Sequence, residues 1–191
     1  MKEDAIRLPL SEGYLVADRK KCAGCIACML ACSLVHEGVF NPSLSRIQIV
    51  QNTWEPFPND VQIGLCRQCV CPDCVDVCPT DALHIDTAMG NVRRVDESLC
   101  TGCGLCVDAC PFIPSRIVRK TEVGVVVKCD LCADAPFWNQ EGGPHGKQAC
   151  VEVCPMRALT LVEGLPEQEG DSAYEVNLRN KHWAWLGYPT D

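Results

Sequence analysis

The sequence predicts a small α+β fold of short strands and short helices built around cysteine sulfur, and three observations predict it. The 191 residues carry 17 cysteines, and all but one fall into four spaced runs. The hydrophobic fraction is 47% with cysteine counted but only about 38% without it, lean for a globular chain. The chain also repeats itself: Cys74-Val-Asp-Val-Cys-Pro-Thr-Asp-Ala-Leu-His-Ile85 matches Cys150-Val-Glu-Val-Cys-Pro-Met-Arg-Ala-Leu-Thr-Leu161 at seven of twelve positions.

Taken in order, Tyr14-Leu-Val-Ala-Asp18 alternates loosely and predicts a first strand. It leads into Cys22-Ala-Gly-Cys25-Ile-Ala-Cys28-Met-Leu-Ala-Cys32, a C-x2-C-x2-C-x3-C run followed by Ser33. His36-Glu-Gly38 reads as a helix exit, with glycine supplying the left-handed residue that closes a helix. Ser45-Arg-Ile-Gln-Ile-Val50 alternates like a strand, and the two prolines between Gln51 and Asp60 mark a connection. Next, Cys66, Cys69, Cys71, Cys74 and Cys78 offer five thiols for four places. Taking Cys66, Cys69, Cys74 and Cys78 preserves an x3-C-P ending, whereas Cys71 would introduce a C-x-C step. Cys71 is therefore read as the unligated cysteine, a small buried hydrophobe.

Ala82–Asp86 and Val92–Asp96, joined through Gly90-Asn91, predict a hairpin. It delivers the chain to Cys100-Thr-Gly-Cys103-Gly-Leu-Cys106-Val-Asp-Ala-Cys110-Pro111, after which Pro111 and Pro114 end any helix early. Residues 120–128 read as one strand leading to Cys129 and Cys132. A loop of 17 residues containing Pro136, Gly142, Gly143 and Pro144 then precedes Cys150 and Cys154, and reads as a surface excursion inserted between ligands. Beyond it, Tyr174–Leu178 suggests a return strand, and His182-Trp-Ala-Trp-Leu-Gly-Tyr188 an aromatic tail suited to packing on the domain or on a partner.

The spacing selects the chemistry. A zinc site usually takes two cysteines from one knuckle and two ligands from elsewhere. Here Cys100, Cys103 and Cys106 crowd into seven residues, which suits three irons of one cubane. In two-cluster proteins of this spacing the fourth cysteine, carried off by the following helix, ligates the other cluster. A disulfide framework belongs to small secreted domains and leaves an odd cysteine. His36, His84, His145 and His182 share no zinc-like spacing, so structural or solvent roles are expected. Lys20, Lys21, Arg67, Lys128 and Arg157 lie beside cysteines, where a cation can raise the potential of a cluster, and read mostly as surface charges. No G-x-G-x-x-G opens a helix and no Ser/His/Asp set converges, so catalysis by this chain alone is not expected. The formal charge is -8, and four oxidised clusters would take it to about -16. That field disfavours nucleic acid and anionic membranes and favours a basic face on a protein partner. No apolar run approaches the ~18 residues of a membrane span, and no signal-like stretch opens the sequence, so a cytoplasmic chain is expected.

The four runs, the x4 gap between Cys69 and Cys74 and the broken fourth run resemble the four-cluster iron–sulfur subunits of molybdenum and tungsten oxidoreductases. Those subunits accompany dimethyl sulfoxide reductase and formate dehydrogenase catalytic chains, and the resemblance covers roughly residues 14–163. His36-Glu-Gly-Val-Phe-Asn-Pro42 with Ser45-Arg-Ile47 is further similar to the small subunits of tungsten enzymes of the aldehyde oxidoreductase type, class II benzoyl-CoA reductase among them. The resemblance implies two ferredoxin-like units with pseudo-two-fold repeats, one inserted in the other. Residues 14–60 with 119–163 would form the outer unit and 61–118 the inner one, with 164–191 a C-terminal extension for partner contact. It implies four [4Fe-4S] clusters on four sets: Cys22, Cys25, Cys28 and Cys154; Cys129, Cys132, Cys150 and Cys32; Cys66, Cys69, Cys74 and Cys110; and Cys100, Cys103, Cys106 and Cys78. The implied function is a non-catalytic electron-transfer subunit in a hetero-oligomer, relaying single electrons to or from a large tungsten- or molybdenum-pterin chain, with a further electron-input subunit. A free-standing polyferredoxin and a zinc-binding structural module are the alternatives.

Overall fold

The computed structural model describes residues 8–166, and the expected strand at 174–178 and the aromatic tail lie outside them. The strands form four separate two-stranded antiparallel ribbons. β1 (Gly13–Ala17) pairs with β8 (Leu159–Glu163), β2 (Gln48–Gln51) with β3 (Val61–Gly64), β4 (Leu83–Asp86) with β5 (Val92–Val95), and β6 (Ile117–Lys120) with β7 (Val125–Lys128). Among the described residues four helices lie between the ribbons and carry Cys28, Cys32, Cys74, Cys106 and Cys150: α1 (Ala27–Glu37), α2 (Asp73–Asp76), α3 (Leu105–Ala109) and α4 (Ala149–Glu152). An isolated two-stranded ribbon is marginal in water, so each depends on what it packs against. Here α1 packs on α4 and α2 on α3.

The β1–β8 ribbon shows why the alternation at Tyr14–Asp18 is weak. All five β1 residues are buried. Leu15, Ala17 and Leu159 join one apolar group with Cys28, Met29, Cys32 and Leu131, while Val16 joins another with Val70 and Phe112. A strand covered on both faces has no polar side to show.

α1 ends as expected: Gly38 has φ 72° and its N–H donates to the Leu34 carbonyl at 2.8 Å. The hairpin expected over 82–96 is present as β4 and β5. Two other expectations change. The strand expected over 45–50 begins only at Gln48, because the Arg46 N–H is turned toward the Cys32 sulfur at 3.3 Å instead of toward a neighbouring strand. Residues 120–128 are a turn and the second arm of a hairpin. The chain reverses at Gly124, φ 73°, whose N–H donates to the Lys120 carbonyl at 2.8 Å.

The inserted loop is also less superficial than expected. Gly143 and Pro144 are buried, and Pro144 lies so close to Gly13 that a β-carbon there would stand 2.7 Å from it. The Gln148 side chain, also buried, donates to the carbonyls of Gly143 and Gly146 at 2.7 and 3.1 Å and holds the loop's end against α4.

A buried ionic network joins distant segments. Arg46 reaches Asp130 at 2.6 Å, Glu97 at 3.4 Å and Glu37 at 3.7 Å, and Lys120 reaches Glu37 at 2.7 Å and Glu97 at 2.8 Å. No helix among the described residues is long and apolar enough to cross a membrane.

Candidate metal centres

Each run opens with the same local bend. The second residue after its first cysteine takes positive φ: Gly24 at 66°, Gln68 at 48°, Gly102 at 66° and Leu131 at 59°. Glycine takes this conformation without strain; Gln68 and Leu131 must be held there. Leu131 is fully buried, and Gln68 is clamped by its own amide, which donates to the Cys129 carbonyl at 2.9 Å and accepts the Arg93 N–H at 2.8 Å. Each run also closes in the same way, with its last sulfur accepting a backbone N–H. The donors are Arg46 to Cys32 at 3.3 Å, Leu83 to Cys78 at 3.4 Å, Arg116 to Cys110 at 3.3 Å and Ala158 to Cys154 at 3.2 Å.

These devices gather the cysteines around four cavities, four to each. Cys22, Cys25, Cys28 and Cys154 line one. Cys32, Cys129, Cys132 and Cys150 line a second. Cys66, Cys69, Cys74 and Cys110 line a third, and Cys78, Cys100, Cys103 and Cys106 a fourth. One turn of helix therefore separates a cysteine of one cavity from a cysteine of the next: Cys28 and Cys32 on α1, Cys150 and Cys154 at α4, Cys74 and Cys78 at α2, Cys106 and Cys110 at α3.

The second and third cavities are joined at Cys129, whose carbonyl accepts from Lys128, a residue lining the Cys66 cavity, at 3.1 Å and from the Gln68 amide of the Cys66 run at 2.9 Å. Through α1 and α4, this junction, and α2 and α3, the four are linked as a row in the order Cys22, Cys129, Cys66 and Cys100, and the exposed cysteines, Cys25 and Cys103, belong to its first and last members.

The donor set fits a polynuclear iron–sulfur cluster better than a single ion. Each hollow is lined by three cysteines of one run and a fourth from another, the exchange of ligands that two-cluster ferredoxins make. The thiols also need a cation. Burial, with the Cys22 charge adding to it, pushes the Cys28 thiol up to about 12. Burial likewise raises Cys74 and Cys132 to about 12 and Cys106 to about 11, and holds Cys69, Cys129 and Cys150 well above the ordinary thiol value. Thiolates in such surroundings are stabilised by the metal they bind.

Most of the cations beside cysteines lie at the surface as expected, and two do not. Lys20, Lys21 and Arg157 are exposed, but Arg67 and Lys128 are buried, at 5% and 2% exposure. Lys128 donates to the carbonyls of Arg93 and Cys129 and sits against Cys66. His36 is buried too: Nδ1 lies 2.8 Å from the Cys32 carbonyl and 3.8 Å from its sulfur, and Nε2 lies 3.0 Å from Asp130. Burial opposes a charge on His36, but the hydrogen bonds to Asp130 and Cys32 outweigh it and raise its pKa to about 9. His84 is half-buried, its Nδ1 3.2 Å from the Ala82 carbonyl, and His145 is exposed beside Glu12 at 2.7 Å; His182 lies outside the described residues. Cys71 packs half-buried beside Val16, Val70 and Phe112 and lines none of the four cavities. Arg93 and Arg116, which carry no spacing signal, also line the Cys66 cavity.

Short ribbons, cysteine-bearing helical turns and sulfur-lined hollows define a cluster-binding electron carrier of the ferredoxin type. The chain belongs to the family described as the 4Fe-4S dicluster domain, which matches residues 58–164. It is 42% identical over 157 residues to the aliphatic sulfonate oxidoreductase polyferredoxin-like subunit of Pyrococcus furiosus, covering 79% of this chain and 78% of that one. It is 35% identical over 151 residues to the thiosulfate reductase electron transfer subunit PhsB of Salmonella typhi, covering 76% of this chain and 72% of that one. Among solved structures, the active site complex BamBC of benzoyl coenzyme A reductase superposes with a TM-score of 0.43 at 21% identity, over 82% of this chain and 83% of that one. The chain is an iron–sulfur electron-transfer protein of that family.

Proposed function

We propose that this chain relays single electrons through four [4Fe-4S] clusters to or from a separate tungsten- or molybdenum-pterin catalytic subunit. The observation that carries the reading is the row of four cavities with four cysteines around each. Each cluster would supply reversible one-electron storage over several metals, at a potential set by charge, hydrogen bonds to sulfur and solvent exposure. The ligand sets are those lining the cavities, with Cys71 left over. Each helical turn then hands one thiolate to a cluster and the next to its neighbour, which fixes adjacent clusters at short range. The backbone N–H groups on Cys32, Cys78, Cys110 and Cys154 orient those four sulfurs. Apolar side chains such as Leu15, Leu131 and Leu159 keep water from the interior of the row.

The same geometry supports an inner unit of residues 61–118 inserted in an outer one of 14–60 with 119–163, the two related internally by pseudo-two-fold repeats. Asp18 and Asp96, each four residues before a run, donate their N–H groups to Ala158 at 2.8 Å and Ala82 at 2.7 Å, the alanines of the internal repeat. The named relatives suggest a partner that acts on a small sulfur compound such as a sulfonate or thiosulfate.

Anaerobic purification from the native source tests the reading. About sixteen irons and as many acid-labile sulfides per chain are expected, together with a co-purifying large chain that holds tungsten or molybdenum. Half that iron or less overturns the relay, and a colourless chain holding zinc without labile sulfide overturns the cofactor.

A further inference from the structure

The four cavities differ in charge. No charged side chain lines the Cys22 or the Cys100 cavity. The Cys129 cavity has Arg46 and His36, but Asp130 faces both, and Arg46 is shared with Glu37 and Glu97. The Cys66 cavity is walled by Arg67, Arg93, Arg116 and Lys128, against one carboxylate, Asp73, exposed at the rim. We propose that Lys128, with Arg116 and the two other arginines of that wall, gives the cluster on Cys66, Cys69, Cys74 and Cys110 the highest reduction potential of the row, making it the place where an electron rests. The proposal rests on the ligand sets given above.

Reduction adds one electron and one negative charge to the cavity without breaking or forming a bond. A nearby cation therefore favours the reduced form, and most strongly where water and salt cannot screen it. Lys128 meets that condition at 2% exposure, with its ammonium held by the carbonyls of Arg93 and Cys129. Arg116 approaches from the other strand of the same ribbon, one residue before Ile117, the register partner of Lys128. Its guanidinium lies 5.5 Å from the Phe112 ring centre, and its backbone N–H donates to the Cys110 sulfur. The cavity is third in the row, so a high potential there places the well inside the wire, away from the exposed ends at Cys25 and Cys103.

The test is an EPR-monitored redox titration of the whole cluster-loaded protein, as wild type and as Cys69→Ser, Lys128→Met and Lys128→Arg. Cys69→Ser is expected to remove the highest-potential wave alone. In Lys128→Met that wave moves down, so that at the wild-type midpoint the ratio of reduced to oxidised cluster falls at least tenfold, about 59 mV for one electron. The other waves stay in place, and Lys128→Arg keeps the wild-type position. Loss of two or more waves in Cys69→Ser overturns the ligand sets and this proposal with them. Loss of a single wave that is not the highest, or an unmoved highest wave in a fully loaded Lys128→Met, overturns this proposal alone. Should Lys128→Met fail to assemble the cluster, Arg116→Leu decides: at least a threefold fall in the same ratio supports the proposal and no change overturns it.

Discussion

At the scale of the residue, the two C-x2-C glycines look alike in sequence and are not alike in space. Gly24 and Gly102 both have φ of 66°. Beside Gly24 a β-carbon would find the Gln51 amide at 3.0 Å, the end of a flexible side chain on an exposed ribbon, whereas beside Gly102 it would overlap the backbone carbonyl of Gly124 at the β6–β7 turn. A left-handed residue with a β-carbon costs about 1–2 kcal/mol in either place, and only Gly102 adds a backbone collision. Gly24→Ala is therefore expected to keep its full iron complement with a small loss of stability. Gly102→Ala is expected to lose the cluster nearest it, so that iron falls from about sixteen to about twelve per chain. Iron analysis of both variants, beside melting followed by cluster absorbance, checks the contrast.

At the scale of the element, α1 is tied to the rest of the chain by charge as well as by apolar packing. Arg46 and Asp130 are 9% and 5% exposed and meet at 2.6 Å; Arg46 and its neighbours hold Asp130 ionised, its carboxyl kept below the usual range although burial pushes it up. Removing one partner of a buried pair leaves the other uncompensated, at about 3–5 kcal/mol. Arg46→Met is thus expected to unfold much earlier in an anaerobic denaturant titration. Lys147→Met, which breaks a pair whose members are 57% and 46% exposed, is expected to shift stability by under about 1 kcal/mol. The contrast also shows what a sequence can carry. The cysteine runs, the Gly38 helix exit and the β4–β5 hairpin are local patterns, a few residues long, and were legible. The Arg46–Asp130 pair spans 84 residues, Arg93 and Arg116 reach the Cys66 cavity from two other segments, and the turn at Gly124 hides in a run of valines. Lys128 could be seen to sit beside a cysteine, but its burial could not, because the strand that covers it comes from elsewhere.

At the scale of the whole molecule, the proposed relay would pass charge between the first and last of the four cavities, the ones that hold the exposed cysteines Cys25 and Cys103. Passage depends on every link, and Cys32 tests the links because it belongs to α1 by sequence and to the second cavity by position. Its sulfur accepts the Arg46 N–H and faces His36; although burial pushes its thiol up, those contacts hold it below the ordinary value. If the helical turn from Cys28 to Cys32 hands a ligand to the next cluster, Cys32→Ala damages the cluster on Cys129, Cys132 and Cys150 and spares the one on Cys22, Cys25 and Cys28. EPR of the reduced variant is then expected to lose one interior signal and keep both end signals. Electrons supplied at the Cys103 end should reach the Cys22 end far more slowly than in the wild type, since the gap falls between them. Were the signal of the Cys22 cluster lost instead, each run would be self-contained, α1 would carry no exchanged ligand, and the row would have to be held together by packing alone.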